Sequence, residues 1–247
     1  MKPYYEQDGV TIYHGDCREI LAGLPADRLI TDPVWPNADP RLKGADDPLG
    51  LLMEALALAR VRTIVLQLGR ASDPRILTAV PAEFPFLCAS WLRYVPPSYR
   101  GRVLMEADLA YAFGEAVRSV EGRRVIPSGT TSTKGEMPRG HGRNRSSEVF
   151  QATQDRMAHP AARHLRHVRW LTHWFADEGD TIIDPFCGTG TTLVAAKDCG
   201  CPAIGIEIEE RFCEIAVRRV AQGNFAFEEV GLQCTPSVTR RGVSERA

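Results

Sequence analysis

The chain contains 247 residues, 44% of them hydrophobic and 25% charged, and its formal net charge is −1. These values fit one α/β domain with a sizeable core, or such a domain with an inserted lobe. No apolar run approaches the roughly 18 residues of a membrane helix, and the first residues lack the pattern of a signal peptide. Seven cysteines without zinc-like spacing predict reduced thiols, a cytoplasmic protein and no metal site.

Apolar periodicity and turn residues predict alternating strands and helices along the chain. The first part has strands over 10–13, 28–31 and 63–68, helices over 18–24 and 49–60, and a loop over 36–48. The remainder has a helix near 74–80, a strand near 89–95, an amphipathic stretch near 107–117, a helix over 161–176, and strand–helix units beginning at 181 and 203. This alternation predicts a mainly parallel sheet with helices on both faces.

The segment 123–169 is strongly basic, with ten Lys or Arg residues and three acids, so it carries +7 against −8 for the rest of the chain. Its part 123–158 lacks apolar periodicity and is predicted to be an irregular insertion. A basic surface on an otherwise acidic protein suits a polyanion, although a solvated loop is the plainer alternative. Three arginines lie near glycines that let the backbone approach DNA closely, and they are the candidate DNA contacts: Arg139, Arg143 and Arg145.

A glycine-rich loop joins a predicted strand to a predicted helix at residues 184–192, which read DPFCGTGTT. Gly188 and Gly190 allow a sharp turn and a close approach of the backbone to a ligand. The loop lacks the Gly-Lys-Ser/Thr of a nucleoside triphosphate site. Asp184 suits the ammonium group of an amino-acid-like ligand, and Thr191 and Thr192 suit its carboxylate.

Glu207 ends a predicted strand 23 positions after Asp184. An acid at this distance suits two ribose hydroxyls, by the same geometry as in dinucleotide-binding folds. A helix-capping role ahead of Glu209 is the alternative for this carboxylate.

A second motif, Asp32-Pro33-Val34-Trp35, follows the strand over 28–31. Together, the two motifs resemble those of the amino-methylating DNA methyltransferases of the β-type group, in which a D/N/S-P-P-Y/F/W motif precedes D-P-F-x-G-S/T-G-T-T. The cofactor motif is complete, whereas Val34 replaces the second proline of the catalytic motif. The similarity extends over roughly residues 9–222.

This resemblance implies a Rossmann-like class I fold with a mainly parallel seven-stranded sheet and a circularly permuted motif order. It implies S-adenosylmethionine as cofactor and DNA as substrate, with a homodimer as a common assembly of the group. The methyltransferase domain would occupy residues 1–230, with target recognition in the insertion at 123–158 and a flexible tail at 231–247. The wider family also serves restriction-modification systems.

The resemblance also assigns further cofactor contacts. Asp16 and Cys17 match a motif near the adenine ring, although Asp16 also suits the N-cap of the following helix. His159 and Arg163 fall in a motif that lines the methionine end, where Arg163 replaces the family's lysine. Phe186 is predicted to pack on the cofactor, with packing in the core as the alternative.

The catalytic motif suits methylation of an exocyclic base amine, which must pyramidalise before it attacks a methyl sulfonium. Two fixed acceptors favour that geometry, and the Asp32 carboxylate and the Pro33 carbonyl can supply them. Trp35 is predicted to stack on a base extruded from the duplex. Val34 reduces the rigidity of the turn.

Aspartate at the first catalytic position favours adenine N6 as the acceptor, with cytosine N4 as the alternative. C5 methylation of cytosine is disfavoured, because no cysteine follows a proline. An RNA methyltransferase and a non-catalytic DNA- and cofactor-binding subunit are further alternatives. The prediction is an adenine-specific DNA methyltransferase.

Overall fold

The structure is a computed structural model that describes residues 2–69, 72–100, 103–115, 163 and 165–222. The predicted insertion at 123–158, with its three candidate arginines, lies outside the described residues, as do His159 and the predicted tail at 231–247.

The described residues form one α/β unit. Its strands are β1 (Tyr5–Gln7), β2 (Val10–His14), β3 (Arg28–Thr31), β4 (Thr63–Leu68), β5 (Phe86–Arg100), β6 (Val103–Gly114), β7 (Ile182–Asp184) and β8 (Ala203–Glu207). Its helices are α1 (Cys17–Ile20), α2 (Pro48–Leu58), α3 (Leu165–Phe175), α4 (Thr191–Asp198) and α5 (Glu210–Ala221), with a 3₁₀ helix over Pro74–Ala79.

All eight strands described belong to one sheet, in the order β1-β2-β8-β7-β3-β4-β6-β5. The five central strands, β2-β8-β7-β3-β4 in sheet order, are parallel to one another. Strands β1, β6 and β5 join in antiparallel pairings at the two ends of this parallel block. The α/β prediction is confirmed, and the strand count exceeds the predicted seven by one because the chain begins with the short hairpin of β1 and β2.

Helices cover both faces of the sheet, because successive residues of each central strand point to opposite sides. Ile30 and Val65 belong to a core cluster with residues of α3, α4 and α5. Their neighbours Leu29 and Ile64 belong to a second cluster with residues of α1, α2 and the 3₁₀ helix. The parallel strands are buried on both sides, which is why their sequences read as continuous apolar runs.

Two predicted elements differ from those observed, and a third, predicted only as an amphipathic stretch, is assigned its type by the structure. Helix α1 ends at Ile20 and not near Leu24, since Gly23 adopts a left-handed φ of 118° that a helix cannot contain. The amphipathic stretch near 107–117 is strand β6, whose burial alternates with a period of two over residues 108–114. The segment near 74–80 is a 3₁₀ helix, for which Asp73 provides the cap by accepting from the Arg75 amide.

Among the described residues, no helix is long and apolar enough to cross a membrane.

Candidate active site

The parallel strands all end at the same edge of the sheet, which collects acidic residues that are far apart in sequence. Asp184 is the last residue of β7, and Asp32 directly follows the adjacent β3. Glu207 is the last residue of β8, on the other side of β7, and Asp16 lies two residues beyond β2. All four line one cleft of about 300 Å³.

The glycine loop has the sharp conformation that its sequence predicts. Gly188 and Gly190 have φ values of 50° and 78°, in the left-handed region that favours glycine. A Cβ atom on Gly190 would lie 2.8 Å from the Ala216 Cβ, so this glycine also allows α4 to begin directly against α5. The loop therefore delivers the N-terminal residues Thr191 and Thr192 of α4 to the cleft.

Asp184 is fixed at the bottom of the cleft, where only 3% of its surface is exposed. Its Oδ1 accepts hydrogen bonds from the Thr31 hydroxyl at 2.6 Å and from the Phe186 amide at 3.1 Å. Burial raises the pKa of Asp184 to about 6, although hydrogen bonds from Thr192, Thr31 and Phe186 oppose the shift. This carboxylate is held in position and is poorly solvated, so a ligand cation would bind it strongly.

Glu207 lies beside the loop, 8% exposed. Its Oε2 accepts from the Gly188 amide at 2.9 Å and its Oε1 from the Glu209 amide at 2.8 Å. Burial raises the pKa of Glu207 to about 7. The carboxylate thus orders the loop and the residue that precedes α5, and it also lines the cleft. The alternative interpretation of Glu207 as a helix cap is not met, because the N-cap of α5 is Glu209 and no side chain among the described residues bonds the first turn of the helix there.

Asp16 and Cys17 lie at the end of the cleft that is predicted to hold the adenine ring. Asp16 caps α1 by accepting from the Arg18 amide at 2.9 Å, and it also pairs with the Arg18 guanidinium. The Arg18 hydrogen bond lowers the pKa of Asp16, so this acid is ionised at neutral pH. Burial raises the pKa of the Cys17 thiol to about 12, so Cys17 is a neutral, apolar contact there. Phe186 lines the cleft and also packs against the second core cluster, so both predicted roles are compatible with its position.

Asp32 has three hydrogen-bond donors around its carboxylate. The Arg163 Nε donates to Oδ2 at 2.6 Å and Nη2 to Oδ1 at 2.8 Å, while the Trp35 Nε1 donates to Oδ1 at 3.0 Å. Burial raises the pKa of Asp32, and the Arg163 charge opposes that shift. Pro33 lines the same cleft.

Arg163 makes contacts that the sequence did not predict. The resemblance implied that it lines the methionine end of the cofactor; it lines the cleft and contacts the catalytic motif, with its Cζ 4.5 Å from the centroid of the Trp35 ring. Its Nη1 also donates to Asp108 Oδ2 on β6 at 3.0 Å. The guanidinium therefore covers Trp35, where the sequence predicted stacking of a base.

Sequence reasoning missed three further residues of the cleft region. Thr31 holds Asp184, Asp108 holds Arg163, and Gln67 lines the cleft from β4 with its Nε2 buried and unpartnered among the described residues. Asp108 had a usable signal, since it is an acid in the buried phase of an alternating strand. Thr31 and Gln67 had none, because both are common in strands.

No group of three or more His, Cys, Asp or Glu residues in the described ranges is arranged to hold a metal ion.

A sheet of this topology, with a glycine loop after β7 and a D-P-x-W motif after β3, defines a class I methyltransferase fold with its motifs in permuted order. Residues 89–218, more than half of the chain, match the N6/N4 family described as DNA methylase. The chain therefore belongs to the N6/N4 amino-methylating DNA methyltransferase family.

Individual relatives agree with this assignment. The type II methyltransferase M.ScaI of Streptomyces caespitosus is 25% identical over 260 residues, which cover 89% of this chain and 84% of that protein. The crystal structure of an M1.HpyAVI–SAM complex has a TM-score of 0.60 at 19% identity and covers 85% of this chain and 98% of that one. The cytosine-N4-specific PvuII DNA methyltransferase has a TM-score of 0.58 at 14% identity, with coverages of 93% and 90%.

Proposed function

We propose that this protein transfers a methyl group from S-adenosylmethionine to the N6 amine of adenine in DNA. One observation carries the proposal: Asp184 and Asp32 lie at the ends of the adjacent parallel strands β7 and β3 and line the same cleft. A cofactor held by the first carboxylate and a base amine held by the second would meet within that cleft.

The described residues fit this cofactor. We assign Asp184 to the ammonium group, Thr191 and Thr192 to the carboxylate, Glu207 to the ribose hydroxyls, and Asp16, Cys17 and Phe186 to the adenine end. The support for these roles is that all seven residues line the cleft. The Arg219 guanidinium donates to Thr191 Oγ1 at 3.1 Å and leaves that hydroxyl's own proton free for a ligand carboxylate. S-adenosylmethionine supplies the electrophilic methyl group when it is bound.

The catalytic motif supplies two acceptors for the amine. The two N–H groups of the amine donate hydrogen bonds to the Asp32 carboxylate and the Pro33 carbonyl, so the nitrogen lone pair turns away from the ring and toward the methyl group. The amine forms a C–N bond as the C–S bond breaks, and the nitrogen then loses one proton. No strong base is needed, because the methylated amine is acidic; Asp32 and solvent are sufficient acceptors.

Adenine is the proposed base because the first position of the catalytic motif is Asp32. The test is nucleoside mass spectrometry of DNA from a methylation-free host that expresses the protein. We expect N6-methyladenine, and none with Asp32→Ala. N4-methylcytosine would keep the reaction and refute adenine as the base. Methylated RNA with unmodified DNA would refute DNA as the substrate, and no modification by a folded, cofactor-binding protein would refute the catalytic role.

Recognition of the DNA is proposed for the basic insertion at 123–158, through Arg139, Arg143 and Arg145. The charge of the 123–169 segment supports this assignment, since guanidinium groups bind phosphates and the edges of guanine. The domain limits 1–230 and 231–247, a homodimer and His159 as a methionine contact stay part of the same proposal.

Cofactor binding is expected to release protons between about pH 6 and about 7. The free protein holds part of a proton on Asp184 and Glu207 in this range, because burial raises their pKa values to about 6 and about 7. A ligand ammonium and ribose hydroxyls stabilise both ionised forms, so binding lowers both pKa values and affinity falls as the pH drops through this window. Calorimetry in two buffers of different ionisation enthalpy measures the release. Glu207→Gln should remove the proton release near pH 7 and leave the release near pH 6. Proton uptake on binding would contradict the assignment of Asp184 and Glu207 to the cofactor.

A further inference from the structure

Three buried or half-buried charges meet where the proposed target base would enter. The Arg163 guanidinium bonds Asp32 with two nitrogens and Asp108 with the third. The side chains of Asp108 and Arg163 are only 3% and 11% exposed, so this is an interior cluster and not a surface ion pair. Gly69 makes room for it, because a Cβ on Gly69 would lie 3.0 Å from Arg163 Nη1.

The charge balance of this cluster explains why it needs an arginine. Two carboxylates that share a poorly solvated site cannot both stay ionised without a cation, and one of them takes up a proton. Arginine keeps its charge at any relevant pH, and its planar fork fixes a carboxylate with two parallel hydrogen bonds. The two carboxylates and the guanidinium together carry one net negative charge, so Asp32 can remain an ionised acceptor for the target amine.

We propose that Arg163, anchored by Asp108, is the positioning residue of Asp32: it keeps the catalytic carboxylate ionised and fixes its orientation. This inference rests on the proposed methyl transfer. It also connects the two positions at which the chain departs from the family motifs, Val34 in place of proline and Arg163 in place of lysine. Val34 leaves the turn after Pro33 less constrained, and the bidentate contact of Arg163 holds the Asp32 carboxylate from the side-chain end instead.

The contact of Arg163 with Trp35 bears on whether Arg163 affects DNA binding or the chemical step. The guanidinium lies over the ring on which the target base is predicted to stack, so a base must displace it from Trp35 on entry. Asp108 then retains the guanidinium beside Asp32. Loss of Arg163 is therefore expected to slow the chemical step without weakening the binding of DNA.

The direction of the pH effect follows from the charged groups that face Asp32. Among the residues that the structure describes, these are Arg163, Asp108 on β6 and Asp184 on β7, with Trp35 as an uncharged donor. Arg163 favours the ionised form of Asp32, and both carboxylates oppose it. Activity needs the ionised form, so it is present above the pKa of Asp32 and lost below it. Removal of the Arg163 charge moves that loss to higher pH.

The test compares Arg163→Gln, Arg163→Lys and the wild-type protein on a DNA duplex that the wild-type protein methylates, across a range of pH. For Arg163→Gln we expect kcat at neutral pH to fall roughly tenfold to a hundredfold, with partial recovery at alkaline pH and no rise in the KM for DNA. Arg163→Lys keeps the charge but loses the fork, so its kcat should fall while the pH profile stays in place. Arg75→Gln is the matched control, since Arg75 forms the same kind of fork with Asp73 on the surface.

Two results would overturn the inference: an unchanged kcat with a raised KM for DNA, which would make Arg163 a DNA contact, or an unshifted pH profile in Arg163→Gln. If that variant does not fold with Asp108 left unpaired, the double variant Arg163→Gln/Asp108→Asn removes the buried charge. Its kcat should fall as in Arg163→Gln, and its pH profile should shift in the same direction but less far, because Asp108 no longer opposes the ionised form of Asp32.

A readout without turnover separates this inference from the proposed function. Trp35 donates to Asp32, so the pH titration of its fluorescence, taken as the difference from Trp35→Phe, follows the protonation of Asp32. The midpoint should rise in Arg163→Gln even if the wild-type protein methylates no base. An unmoved midpoint would refute the positioning role, whereas an inactive wild-type protein with a shifted midpoint would refute the methyl transfer alone.

Discussion

Asp32→Asn is expected to lower kcat for DNA methylation by at least about a hundredfold while S-adenosylmethionine affinity changes by less than about twofold. Asparagine keeps the shape of the side chain but removes the negative charge that accepts the amine N–H as the nitrogen becomes positive. Asp32 is at the base end of the cleft, on the far side of Asp184 from Glu207 in the strand order, which explains the small effect on the cofactor. Transfer of a labelled methyl group to DNA, beside cofactor binding by calorimetry, measures both effects.

Asp46→Asn is the matched control for this variant, because Asp46 is an exposed acid in the segment between β3 and α2 and does not line the cleft. It should methylate DNA at the wild-type rate. Asp32→Asn with wild-type turnover would remove Asp32 from the catalytic role, and an equal loss in the control would assign the effect to the loop as a whole.

The sequence predicted the backbone of the cofactor half, because that half is local. A strand, a turn that needs left-handed glycines and a helix follow one another within residues 181–198, so local patterns were sufficient to predict them. Glu207 could be placed for a similar reason, since β8 follows α4 in sequence and lies next to β7 in the sheet.

The catalytic half was predicted less completely, because its contacts cross the sheet. Asp108 belongs to an antiparallel strand that lies two positions from β3 in the sheet but 76 residues away in sequence. Arg163 contacts Asp32 from just before α3, and the two residues are 131 positions apart in sequence. Periodicity could have marked Asp108 as a buried acid, but no local pattern indicates which cation it pairs with.

The same distinction explains what the sequence left open in secondary structure. The stretch over residues 107–117 was predicted only as amphipathic, and pairing with β4 and β5 decides that it forms a strand. Its alanines favour a helix over a strand, so tertiary pairing overrides local preference here. The buried parallel strands were unambiguous by contrast, because their continuous apolar runs suit only the centre of such a sheet.

Asp184→Asn is expected to raise the Kd for S-adenosylmethionine by roughly a hundredfold or more, because the ligand ammonium loses its buried partner charge. Asparagine retains an oxygen that can accept from the Thr31 hydroxyl and the Phe186 amide, so the loop should keep its conformation. Asp8→Asn is the control, since Asp8 is an exposed acid with a left-handed φ of 52° that asparagine tolerates well.

Asp184→Asn should weaken cofactor binding but should not lower the stability of the free protein at neutral pH. Burial raises the pKa of Asp184 to about 6, above its ordinary value of 3.8, so the folded protein binds this proton more tightly than the unfolded chain. The contribution of Asp184 to stability is therefore greatest in acid and declines as the pH rises through about 4 to about 6. At neutral pH the ionised carboxylate destabilises the fold, and asparagine avoids that cost.

Thermal unfolding with and without S-adenosylmethionine tests both parts together. The Tm of the free Asp184→Asn variant at neutral pH should equal or exceed that of the wild-type protein, and the increase that the cofactor gives the wild-type protein should be absent. A lower Tm in the free variant would mean that Asp184 is a structural acid of the strand end. A retained cofactor shift would place the ligand ammonium elsewhere in the cleft. Higher stability together with lost binding in Asp184→Asn is expected only if the buried carboxylate binds the cofactor and does not stabilise the fold.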